Sequence, residues 1–80
     1  MPKDDCARAI ALALAGQWDE AHRLVQPHED DDLACWIHAV LHKIEGDSGN
    51  SRYWYRRAGR MQHVNDAPDQ ELKQIQALLA

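Results

Sequence analysis

Apolar residues recur three and four positions apart in five stretches of the chain, a spacing that predicts helices and leaves no credible strand. The first stretch runs from about Asp4 to Ala15 and aligns Cys6, Ala9, Ile10 and Ala13, with Gly16 at the position of a left-handed C-terminal cap. The second runs from about Trp18 to Gln26, presents Trp18, Ala21, Leu24 and Val25, and stops at Pro27. The third opens after Asp31 or Asp32, either of which can cap it, and closes at Gly46. Its residues Leu33, Trp36, Ile37, Val40, Leu41 and Ile44 form one continuous apolar stripe. Asp47-Ser48-Gly49-Asn50 reads as a turn, and a fourth helix continues to about Gly59 or slightly beyond. Trp54, Ala58 and Met61 share its face, with Tyr55 at the edge. A loop over His63–Ala67 precedes a fifth helix, which begins at Pro68 and carries the narrow stripe Leu72, Ile75 and Leu79. That stripe has two ways to be covered, by its own chain or by a second copy.

The pattern predicts a single all-α domain of antiparallel helical hairpins. Two degenerate helix-turn-helix units span about 5–27 and 31–60, and a C-terminal helix spans about 67–79. Both hairpin corners follow the order helix, glycine, short polar turn, small residue, helix, at Gly16–Ala21 and thirty residues later at Gly46–Ser51. Gly46, Ser51, Tyr55 and Ala58 follow the spacing of the glycine, small, aromatic and alanine positions of tetratricopeptide-like repeats. The tract Asn50–Gly59, with Trp54-Tyr55 and Ala58, is similar to the Trp-Tyr-x-x-Ala element of Sel1-like repeats. Cys35, His38 and His42 depart from the pattern, standing where aromatic and leucine residues are expected. Ala21-His22, the run Trp36–Asp47 and Tyr53–Ala58 together resemble a family of short bacterial and fungal proteins of unassigned function. The resemblance implies a small self-contained helical protein and supplies no catalytic residue.

Composition narrows the class. Eighty residues with 45% hydrophobic and 28% charged content make one globular domain with a thin core, for which a partner copy would be an advantage. No run approaches the 18 or more apolar residues of a membrane span. Met1-Pro2-Lys3-Asp4-Asp5 lacks the basic-then-apolar layout of an export signal, and two cysteines are too few for a disulfide framework, so a cytoplasmic protein is expected. The net charge of −4 is unevenly laid out. Residues 1–47 hold ten acids against four bases, residues 48–65 hold Arg52, Arg56, Arg57 and Arg60 with no acid, and the last fifteen residues are again acidic. An acidic chain is not expected to be a dedicated nucleic-acid binder, although a local basic patch remains.

Two constellations carry chemistry. Cys35, His38, His42 and Glu45 are spaced three, four and three apart on the third helix, so they line one strip opposite its apolar stripe. Thiolate, imidazole and carboxylate are all zinc ligands, two histidines four apart can hold one ion, and His22 on the second helix is placed to add another. The same strip can equally be a polar face, or hydrogen-bond to a neighbouring helix. On the fourth helix Tyr53, Arg56, Arg57 and Arg60 form an aromatic and guanidinium strip suited to a peptide, carboxylate or phosphate. Its simpler reading is a solvated face paired with Glu29, Asp30, Asp31 and Asp32.

Catalysis is not expected, since Cys35 has histidines only on its own helix and Gly46 and Gly49 frame no phosphate loop. The sequence therefore points to a small helical module that binds a protein or peptide through the fourth helix, as a homodimer and without a cofactor. The alternative is a metal-binding protein or metal-dependent enzyme built on the third helix. Trp36, Val40, Leu41, Ile44 and Trp54 are the expected core.

Overall fold

Gly16 and Gly46 set the corners of the two hairpins. Each adopts a left-handed backbone, φ 79° and 87°, which costs an L side chain energy and costs glycine nothing. At both corners the same pair of bonds closes the helix. The Gly16 N–H donates to the Ala13 carbonyl and the Gln17 N–H to that of Leu12; the Gly46 and Asp47 N–H groups do the same to Lys43 and His42. The computed structural model describes residues 1–80 and contains α1 (Lys3–Leu14), α2 (Trp18–Val25), α3 (Asp32–Glu45), α4 (Ser48–Ala58) and α5 (Pro68–Leu79), with a 3₁₀ turn at Met61–His63 and no strand. The fold is all-α, as the spacing predicts.

The turn expected over Asp47–Asn50 is shorter than it reads. Asp47 accepts a hydrogen bond from the Asn50 backbone N–H and caps α4, so Ser48, Gly49 and Asn50 already form its first turn. Asp31 caps α3 in the same way through the Ala34 N–H, at 3.0 Å.

Helix α3 is the axis of the molecule. It touches α1, α2, α4 and α5, and every residue from Ala34 to His42 is buried. Its apolar stripe is buried from Trp36 to Leu41, and on the opposite strip Cys35, His38 and His42 are interior as well, only Glu45 being exposed. Trp36, Val40, Leu41 and Trp54 are buried as expected, but Ile44 is 42% exposed. Ile44 lies in the last turn of α3, in a shallow groove beside Leu14 and Pro68, and no side chain closes over it. Tyr55, placed by the helical wheel at the edge of α4, is fully buried, whereas Met61 is exposed.

Leu72 and Ile75 are fully buried within the chain, α5 packing on α1 and α3, so the α5 stripe needs no second copy to cover it. No helix is long and apolar enough to cross a membrane.

A buried carboxylate fastens α5 to the core. Glu71 is 1% exposed and accepts hydrogen bonds from Trp36 Nε1 at 2.7 Å, from the Tyr55 hydroxyl at 2.6 Å and from Lys43 Nζ at 2.7 Å. The Lys43 ammonium also donates to the His63 and Asp66 carbonyls and lies 4.9 Å from the centre of the Tyr55 ring. Burial, reinforced by the bond to Glu71, pushes the Tyr55 hydroxyl well above its ordinary value, so it stays a proton donor. A buried charge is tolerated only when paired and fully hydrogen-bonded, and here three donors from α3 and α4 meet one acceptor from α5.

Candidate metal centre

The hairpin corners place α2 and α4 against the second side of α3, and three imidazoles converge there. His38 and His42, one turn apart on α3, have stacked rings with centroids 4.9 Å apart. His22 of α2 meets both edge-on, its Nε2 lying 3.1 Å from Nε2 of His38. One nitrogen from each of the three lies within 4.8 Å of the other two. The rings are held on either side by indoles. Trp18 stacks on His22 at 4.7 Å and Trp54 on His38 at 4.1 Å. Trp18 is itself fixed by donating from Nε1 to the Leu41 carbonyl, and the Ser51 hydroxyl ties α4 to α3 through the Ala39 carbonyl.

Glu45 orients the third ring. Its Oε1 stands 2.7 Å from Nδ1 of His42, which leaves Nε2 as the ring nitrogen without a carboxylate partner. A carboxylate on the far nitrogen of an imidazole is the usual outer partner of a metal-bound histidine, fixing its tautomer and raising its basicity. Asp47 lies near the same edge but is engaged as the cap of α4.

Burial holds His38 and His22 in the neutral form. His38, 4% exposed, is pushed down to about 3, first by burial and then by His22 and His42. His22 is lowered for the same reasons, with Glu45 and Asp19 partly opposing the shift. A metal ligand must be unprotonated, so burial prepares this cluster for a cation other than a proton.

The linkage predicts acid sensitivity. His38 takes a proton below its ordinary 6.5 when unfolded, but only near 3 when folded. Between those values the unfolded state binds more protons, and stability falls as pH is lowered. The slope is at most about 1.4 kcal/mol per pH unit for one such group. Asp31, held down by the Met1 ammonium, and Asp47, held down by Asn50, act only below 3.8. Urea titrations of metal-free protein at pH 7, 5.5 and 4.5 should therefore show a progressive loss from the histidines; equal stabilities across that range would refute it.

The structure divides the residues singled out on α3. His38 and His42 join the cluster, and Glu45 stands behind it rather than in it. Cys35 is turned away, its thiol donating to the Glu29 carbonyl at 3.1 Å, with burial raising it above the ordinary thiol value. His22 supplies the third nitrogen. Trp18, His22 and Gln26 are spaced four apart along α2 and its C-cap, a second strip that the wheel could have shown.

The α4 strip is also divided. Arg57 donates to the Glu29 carbonyl and to the Tyr53 hydroxyl, and lies 5.5 Å from the Trp54 ring. Arg60 turns the other way, over the Trp36 ring at 4.9 Å. Tyr53 and Arg56 remain at the surface, and none of the four arginines makes a salt bridge with Glu29, Asp30, Asp31 or Asp32. No protein-family model, curated protein or solved structure matches the chain.

Proposed function

We propose that this is a small metal-binding protein whose site is formed by His22, His38 and His42. The observation that carries the reading is the convergence of three imidazoles from two helices, backed by Glu45. Two nitrogens on one tetrahedral zinc, each about 2.0–2.1 Å from the ion, stand about 3.3 Å apart. The Nε2 atoms of His22 and His38 are 3.1 Å apart, so little movement is needed to share an ion. A hydrogen bond between two rings would account for that pair, but it gives no role to the third ring or to the carboxylate orienting it. An all-nitrogen set suits zinc and its late first-row neighbours better than calcium or magnesium.

Elemental analysis of protein purified without chelator should find close to one zinc per chain. Zinc at about 100 times its dissociation constant should stabilise the fold by about 2.7 kcal/mol, raising Tm by about 10–20 °C in a domain of this size. Glu45→Gln should weaken the site by about 10–100-fold while leaving it able to bind. A Tm indifferent to zinc and to EDTA sinks the reading.

The α4 surface supports a second reading, a module for a protein or peptide partner, because Tyr53, Arg52 and Arg56 stand exposed and neither Arg52 nor Arg56 forms a salt bridge. Here Arg56→Glu should abolish partner capture from cell extract, in a salt-sensitive manner, without changing Tm. Homodimer formation belongs to this reading, with Ile44 and Leu78 the exposed apolar residues on which it would draw. Capture unchanged by the charge reversal would make the strip a solvated face.

A further inference from the structure

Three imidazoles do not complete a coordination sphere, and the side they leave uncovered is a pocket. It measures about 350 Å³, is open to solvent, and is lined by His22, Gln26, Glu29, His38, His42 and Trp54. Structural zinc sites are closed by four protein ligands, whereas sites with three keep a position for water or substrate. No fourth histidine, cysteine or acidic side chain joins these three nitrogens within 4.8 Å. The two nearest candidates in sequence are committed elsewhere, Cys35 to the Glu29 carbonyl and Glu45 to the far side of His42.

We propose that the metal held by His22, His38 and His42 keeps an exchangeable position facing this pocket, which takes a small anion: a carboxylate or an inorganic oxyanion. The inference rests on the metal reading above and adds what the metal is for. Neutral imidazoles leave the charge of a divalent ion uncompensated, so an anion is the fitting fourth ligand. The rim adds to this. Arg57 donates to the Glu29 carbonyl and lies over Trp54, and both of these residues line the pocket, so the exposed guanidinium is held next to its wall. The Gln26 side chain, on the α2 wall, offers amide hydrogens to an oxyanion. The one competing group is the Glu29 carboxylate, which is exposed and stands at the same rim.

Cobalt(II) substitution tests this, because its visible d–d bands report coordination. Azide, and then acetate, added to the Co2+-loaded protein should shift the bands saturably at one ion per chain. Arg57→Ala should weaken azide binding about two- to five-fold, the range of a single exposed charge contact, with Co2+ affinity unchanged. Glu29→Gln should leave the Co2+ spectrum as it is. Bands that ignore both anions overturn the inference while leaving the metal reading intact. A spectrum altered by Glu29→Gln alone overturns it in another way, by making Glu29 the fourth ligand of a closed site. One ion per two chains does so too, since the second copy then fills the position. Failure to bind Co2+ or Zn2+ at all overturns the metal reading, and this inference with it.

Discussion

Glu71→Ala is expected to destabilise the protein by about 3–5 kcal/mol, the largest loss of any single substitution considered for this fold. The substitution removes the acceptor shared by Trp36 Nε1, the Tyr55 hydroxyl and Lys43 Nζ. Trp36 Nε1 and the Tyr55 hydroxyl are then stranded in the interior, and the partly exposed Lys43 ammonium loses its counter-charge. Breaking a buried charge pair by deleting one member costs about 3–5 kcal/mol, a large part of the roughly 5–15 kcal/mol that holds a domain together. The damage is not confined to α5, since Lys43 and Trp36 belong to the central helix. Glu71→Gln keeps one acceptor oxygen and the volume, so it should lose less than Glu71→Ala while still stranding the Lys43 charge. Urea unfolding followed by tryptophan fluorescence reads both. A Glu71→Ala midpoint within experimental error of the parent would show that the buried carboxylate contributes nothing to the fold.

Removing either of two imidazoles should abolish the response to metal. His22→Ala is the cleaner variant, because His22 is only half-buried and its loss opens no cavity in the centre of the molecule. Zinc affinity should fall by more than the roughly 10–100-fold that accompanies loss of an outer partner such as Glu45. The zinc-induced rise in Tm should disappear with it. His38→Ala should do the same and also lower the stability of the metal-free fold, since His38 is buried and stacked on Trp54. His38→Leu separates the two effects: it fills the space, abolishes metal binding and reduces the loss of stability between pH 6.5 and 4.5 to the part that His22 contributes. A full-sized zinc shift retained by His22→Ala would place any bound ion elsewhere.

The number of helices, their order and most of their ends were legible in the amino-acid pattern, because the signals are local. Glycine permits the backbone that closes α1 and α3, Pro27 and Pro68 bound helices by their missing N–H, and Asp31 caps by reaching three residues ahead. The stripe from Leu33 to Leu41 also follows from period alone, since residues three and four apart face one neighbour. Period shows which residues share a face, not what lies opposite that face. The strip holding His38 and His42 therefore looked like a surface, and it is interior because α2 and α4 happen to close over it. Cys35 lies on the same strip yet bonds to the α2–α3 connection, while His22, sixteen residues before His38, completes the cluster. Ile44 repeats the stripe faithfully and is exposed because the ends of α1 and α5 flank it as the walls of an open groove without closing over it. Glu71 carries no local signal at all: a glutamate in a first helical turn ordinarily faces water, and only the meeting of α3, α4 and α5 surrounds it with donors. Contacts between distant segments depend on how helix faces pack, and that information is spread over all five helices rather than written at any one position.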